Sequence, residues 1–329
     1  EKYRAGGKKF KLADFPAGDK SGLPDSKEAR KLATEALSAE LDQLQDILYA
    51  QAKHRYLVVL QGMDTSGKDG TIRTVFRAAD PLGMRVQAFK APSEAERARD
   101  YLWRVHMVMP QSGEIVIFNR SHYEDVLVTR VRGWIDEAEH ARRSRQMNDF
   151  DRMLAETGTT IVKIFLNISN EAQRERLQER LDNPEKHWKF NPGDLEDRKL
   201  WPQFMQTYQQ VIAATDTDHA PWYIVPADSK SGRSLIIVNI LLEHLRRLDL
   251  AGRSRLNDTH PKNIRPSETK VSDGLMFFKT DASLSAKHFY ACAYSKINGF
   301  DNLFRRPINT QSRRCARGSP RSPTTRNQA

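Results

Sequence analysis

Residues 1–250 contain no cysteine; the chain's two, Cys292 and Cys315, both lie beyond that point. This region therefore offers no disulfide framework, no thiolate metal site and no cysteine nucleophile. Long apolar runs are missing as well, since no stretch approaches the ~20 uninterrupted apolar residues of a membrane span. No apolar segment follows the basic residues near the start, as one would in a signal peptide, so a cytoplasmic protein is expected. Net charge is nearly absent from the same region. Of 53 Lys/Arg and 42 Asp/Glu, residues 251–329 hold 15 and 5, which leaves 38 and 37 for residues 1–250. The formal charge of +11 thus resides mostly in the tail and is poor evidence that the main body binds nucleic acid.

What is present reads as a soluble globular chain, with 39% hydrophobic and 29% charged residues. Its 329 residues are enough for one substantial core with an appendage. Residues 1–25, rich in Gly, Lys and Pro, predict an irregular arm. Ser26 is the expected N-cap of a helix through about Lys53, with Leu32, Ala36, Leu37, Leu41, Leu44 and Leu48 along one face. Five short runs then read as strands: Tyr56–Gln61, Arg85–Phe89, Glu114–Phe118, Thr160–Leu166 and Trp222–Val225. Several are apolar throughout, as strands covered on both faces of a parallel sheet should be. Between them, a capping box at Ser93–Glu96 opens a helix expected to end near Met109, and 135–156, 169–181, 194–215 and 231–248 read as further helices. The alternation predicts an α/β chain, a three-layer α/β/α sandwich around a central parallel five-stranded sheet. Beyond residue 250 periodicity fades, and disorder is expected at least from Arg305 onward.

The strongest local signal is GMDTSGKDG, Gly62 to Gly70, directly after the first strand. Gly62-x4-Gly67-Lys68 is the Walker A pattern in its required strand–loop–helix context. Backbone amides from Gly62, Thr65, Ser66, Gly67, Asp69 and Gly70 are expected to cradle phosphate oxygens. Lys68 would neutralise charge between them, and the following helix adds its dipole. Where the pattern usually has Ser or Thr after the lysine, this chain has Asp69, and Asp64 stands inside the loop. Two carboxylates beside phosphates imply a divalent cation, Mg²⁺. Asp69 reads equally as a helix-cap carboxylate; Asp64 is the better metal ligand.

A second block follows the third strand: Phe118-Asn119-Arg120-Ser121-His122-Tyr123-Glu124-Asp125-Val126. Together with the first it resembles the polyphosphate kinase 2 family, whose hallmarks are G-x-D-x-x-G-K-x-G and F-[DN]-R-S-x-Y-x-x-V. The blocks Phe89–Pro92, Asp100–Arg104 and Asn183–Asp194 match as well, and the likeness covers about residues 8–250. Asn119 and the KFNPGDL block resemble the family's third class, which phosphorylates both AMP and ADP. The resemblance implies a P-loop kinase fold with a helical lid, inorganic polyphosphate and AMP, ADP or ATP as substrates, Asp125 as a second Mg²⁺ ligand, and a homo-oligomer, dimer or tetramer.

At the site, Arg120 lies just past a strand end, where parallel sheets place their ligand crevice, and reads as a bidentate phosphate clamp. Asn119 is expected to hydrogen-bond the acceptor phosphate or a metal-bound water. Glu124 has two readings, catalytic or structural ion pair. The basic segment 174–200 reads as a lid with Arg180, Lys189 and Arg198 as its contacts. Arg73, Lys90 and Arg130 are candidates to line a groove for a long polyanion. His106, His122 and His187 fit no zinc spacing and are taken as structural; Trp188 and Phe190 are taken as packing residues. Two rival functions share these features: a nucleoside monophosphate kinase using ATP as donor, and a nucleotide-gated module whose basic tail binds nucleic acid.

Overall fold

A computed structural model describes residues 2–250; the tail expectations lie outside the described residues. The elements run α1 (Lys27–Gln51), β1 (Arg55–Gln61), α2 (Lys68–Val75), β2 (Met84–Ala88), α3 (Glu94–Arg97), α4 (Trp103–His106), β3 (Ile115–Asn119) and α5 (Glu124–Val131). They continue with α6 (Glu137–Glu156), β4 (Thr159–Asn167), α7 (Asn170–Asp182), α8 (Pro192–Lys199), α9 (Trp201–Thr215), β5 (Trp222–Pro226) and α10 (Lys230–Arg247). The strands form one parallel sheet in the order β2-β3-β1-β4-β5. Val58 of β1, the central strand, pairs with Ile117 on one side and Val162 on the other. Leu57 to Leu60, Val116 to Phe118 and Ile164 to Leu166 are fully or almost fully buried, because helices cover both faces of the sheet. Among the described residues, no helix is long and apolar enough to cross a membrane.

The arm at residues 2–25 has only short 3-10 turns among its described residues, yet it is firmly docked. Ala5 N–H donates to the Trp222 carbonyl at 3.0 Å and Ile224 N–H to the Tyr3 carbonyl at 2.8 Å. The arm thereby covers the open edge of β5, which would otherwise present unpaired backbone groups.

Two helix expectations change, and one helix is new. The capping box at Ser93 forms, but the helix stops at Arg97 and resumes only at Trp103. There the Asp100 carboxylate accepts from Leu102 N–H at 3.0 Å, a local turn that competes with helix. The helix expected over 194–215 begins earlier, at Pro192 with Asn191 as cap, and is broken at Leu200. Pro202 has no N–H to continue the ladder and its ring crowds the carbonyl four residues back. Helix α5, hidden inside the second motif, was not anticipated.

Candidate active site

The phosphate loop leaves β1 at Gly62, whose φ is 146° and where a Cβ would meet the Leu166 carbonyl at 2.9 Å. Only glycine allows β1 and β4 to approach so closely. The turn closes through Ser66 N–H donating to the Met63 carbonyl at 3.1 Å, and Thr65 is held at φ 64°. Lys68 opens α2 and is only 8% exposed; its Nζ donates to the carbonyls of Gly62 (2.7 Å) and Met63 (3.2 Å). Burial, then the charge of Arg120, pushes its ammonium down to about 8, against the pull of Asp64, Glu124 and Asp69.

At the end of β3, Arg120 adopts a left-handed backbone (φ 62°), uncommon for a non-glycine residue and typical of residues aimed at a site. Its guanidinium pairs with Asp64 and lies 3.6 Å from Glu124. Burial opposes the charge on Arg120, but Glu124 and Asp64 raise its pKa overall. Burial would likewise raise Asp64, yet Arg120 and Lys68 hold its carboxyl below the usual range. Burial keeps Glu124 above the usual range despite Arg120 and Lys68. Asn119 Nδ2 donates to Asp69 Oδ1 at 2.7 Å, which ties the strand end to the start of α2.

These groups border a cavity of about 410 Å³ over the loop. Nine basic residues line it (Lys68, Arg73, Lys90, Arg120, Arg176, Arg180, Lys186, Lys189, Lys230) against three acidic ones (Asp64, Asp69, Glu179), an imbalance that selects polyanions. Thr65, Gly67, Gly70 and Asn119 complete the phosphate-facing wall. The lid segment supplies one side. Arg180 donates to Asp194 Oδ2 at 2.9 Å and to the Lys189 carbonyl at 3.0 Å, folding α7 onto the turn before α8.

Several expected residues stand elsewhere. Ser66 does not face the cavity: its amide is used inside the turn and its side chain is fully buried; Gly62 likewise shapes the loop from behind. Arg130, at the far end of α5, pairs with Glu137 instead of lining a groove. Arg198 donates to the Asn170 carbonyl at 2.7 Å and to Gln173 Oε1 at 2.9 Å, so it fastens α8 to α7 rather than reaching the cavity. Asp125 lies 3.4 Å from Arg104 and is not brought to the loop carboxylate; burial raises its carboxyl, opposed by Arg104. Trp188, taken as a packing residue, is 76% exposed at the lid turn. His122 is buried in the core, His106 packs its ring on Phe150 at 5.7 Å and His187 bonds the Leu181 carbonyl at 2.8 Å; none of the three lines the cavity.

Arg176 and Lys186, read only as part of the basic segment 174–200, line the cavity. Lys230, Glu179 and Asp194 went unread: the first two line the cavity, and Asp194 comes up against Asp64. Burial, then the neighbouring Asp64, pushes the Asp194 carboxyl up to about 6. Its place at the end of the Asn183–Asp194 block was the available signal.

The profile described as Polyphosphate kinase 2 (PPK2) matches residues 24–251, more than half of the chain. The chain belongs to the polyphosphate kinase 2 family. One relative, an AMP/ADP-polyphosphate phosphotransferase from Meiothermus ruber, is 51% identical over 240 residues, covering 73% of this chain and 90% of its own. An ADP-polyphosphate phosphotransferase from Rhodopseudomonas palustris is 36% identical, covering 76% and 91%. The crystal structure of Polyphosphate Kinase 2 from Arthrobacter aurescens TC1 superposes with a TM-score of 0.73 at 42% identity, over 75% of this chain and 88% of that one. The single parallel five-stranded sheet with helices on both sides is the three-layer α/β/α architecture predicted from the strand–helix alternation.

Proposed function

We propose that this chain moves the terminal phosphoryl group between inorganic polyphosphate and adenine nucleotides, accepting on AMP and ADP. The observation that carries the reading is the cationic cavity over a Walker A loop, in a chain of the polyphosphate kinase 2 family. A phosphate oxygen of AMP or ADP attacks the terminal phosphorus of polyphosphate; the P–O–P bond breaks and the donor shortens by one unit. Such a transfer needs positioning and charge neutralisation more than covalent help. Lys68 and the loop amides hold the transferring group, and Arg120, freed from Asp64 by the incoming polyanion, clamps its oxygens. The lid cations Arg180, Lys186 and Lys189 face the same cavity and neutralise the remaining chain. Acceptance of AMP as well as ADP rests on Asn119 and on the Meiothermus ruber relative's name.

The residues present fit a magnesium ion. Asp64 borders the phosphate cavity, and Asp194 meets it as a second carboxylate, a like-charged pair that a divalent cation would bridge. Asp64 and Asp194 would hold it, in place of the Asp64–Asp125 pair. When bound, magnesium neutralises phosphate charge and orients the chain of phosphates.

The test is incubation of the protein with AMP, Mg²⁺ and long-chain polyphosphate. ADP and then ATP are expected to form, whereas an ATP-dependent monophosphate kinase makes neither from AMP alone. No product in that mixture rejects polyphosphate as donor.

A further inference from the structure

The phosphate loop is held from behind by a cation that neither motif contains. Arg233, near the start of α10, is 4% exposed, and its Nη1 donates to the Ser66 carbonyl at 3.0 Å. Its Nε has no hydrogen-bond partner among the described residues. Burial, then the charge of Arg176, pushes its guanidinium down to about 10. Arg176 itself donates to the adjacent Thr65 carbonyl at 2.9 Å, so two guanidinium groups hold successive carbonyls of the loop.

The motif glycines make room for this arrangement. A Cβ on Gly67 would stand 2.0 Å from Arg233 Nη1, and one on Gly70 would stand 3.2 Å from Nη2. The Gly67-Lys68-x-Gly70 spacing therefore admits Arg233 as well as any ligand. Orientation follows from the peptide itself. In a trans peptide C=O and N–H point in opposite directions. Drawing the Ser66 carbonyl toward Arg233 aims the Gly67 N–H the other way, and Gly67 lines the cavity. A buried arginine without a carboxylate is costly, of the order of several kcal/mol. A neutral carbonyl repays only part of that cost, while a polyanion across the loop repays far more.

We propose that Arg233 is a positioning residue for phosphoryl transfer: it orients the Ser66–Gly67 peptide, and its unpaired charge draws the phosphate chain onto the loop. The proposal rests on the phosphoryl-transfer reading above.

Arg233→Met and Arg233→Lys test it, through kcat and KM for polyphosphate, calorimetric binding of inorganic tripolyphosphate, and thermal melting. In Arg233→Met, kcat/KM is expected to fall about 10- to 100-fold and tripolyphosphate to bind about 10-fold more weakly. The dependence of that binding on salt should become shallower, because a charge has been removed. Melting should hold or rise, because the uncompensated charge is gone. Arg233→Lys should restore tripolyphosphate affinity while kcat stays low, since an ammonium supplies the charge but not the planar contact with the loop. A folded Arg233→Met with kcat/KM within about two-fold of wild type overturns the proposal. So does a loss that tracks a fall in melting temperature and is not relieved by lysine. Should the methionine variant fail to fold, unchanged kcat in Arg233→Lys overturns it equally. Tripolyphosphate binding needs no turnover, so a wild-type protein that binds it yet makes no nucleotide would reject the donor assignment while still testing Arg233.

Discussion

Arg120 pairs with the Asp64 carboxylate at the mouth of the phosphate cavity, and its other terminal nitrogen lies 3.6 Å from Glu124. One guanidinium thus spans the loop and the first turn of α5, from a backbone held at φ 62°. A lysine has one compact ammonium and cannot bridge two carboxylates while gripping phosphate. Arg120→Lys is expected to cut kcat on the order of 100-fold with melting little changed. Steady-state kinetics beside a melting curve check this; a drop confined to KM would show that Arg120 only binds.

Lys68 is buried and its Nζ donates to the Gly62 carbonyl of its own loop, at the wall of the phosphate cavity. Lys68→Ala should lower turnover at least ~100-fold. Near-normal turnover would remove the loop from the mechanism.

The magnesium requirement should separate three carboxylates. Asp64→Asn and Asp194→Asn are expected to raise the half-saturating Mg²⁺ concentration by about 10-fold or more. Asp125 acts at one remove: it pairs with Arg104, whose Nη1 donates to the Lys90 carbonyl at 2.9 Å. Asp125→Asn should lower kcat while leaving the Mg²⁺ requirement within about two-fold. Magnesium titrations of all three variants decide; a large shift in Asp125→Asn alone would return the second ligand to that residue.

Behind the site lies an ion pair with no access to water. Lys163 Nζ donates to Asp151 Oδ2 at 2.9 Å, to Tyr123 Oη at 2.9 Å and to the Thr215 carbonyl at 2.8 Å, and both charged side chains are buried. Asp151→Asn strands a buried ammonium and should cost about 3–5 kcal/mol in denaturant unfolding. Adding Lys163→Met should recover much of the loss; a double variant no better than the single one would contradict the pairing.

His122 is fully buried, and burial lowers its pKa from 6.5 to about 4, with Asp151 opposing and Lys163 reinforcing the shift. The folded chain keeps it neutral while the unfolded chain protonates it below pH 6.5. Stability is therefore intact above that pH and falls toward pH 4, by about 1.4 kcal/mol per unit from this group. His122→Leu should flatten the slope of unfolding free energy against pH in that window. An unchanged slope would show that other groups carry the acid sensitivity.

Much of this molecule is written in local pattern. The strands are short runs, most of them apolar as strands covered on both faces must be, and this pattern placed all five to within about two residues. Lys68 and Asp64 were legible because the Walker A spacing names its own loop, and Arg120 because it lies just past a strand end, where a parallel sheet opens its crevice. Glu124 and Asp125 were not separable in the same way. They are neighbours on α5, about 100° apart around the helix axis, and one faces Arg120 while the other faces Arg104. Which of the two meets the loop depends on how α5 is rotated against β3, and no short-range pattern records that rotation. Arg130, on the same helix, went astray for the same reason. Arg233 lies 167 residues from the Ser66 carbonyl it holds, and Asp194 meets Asp64 from a distant part of the chain. Contacts of that kind come from packing one element on another, and chain order carries no trace of them.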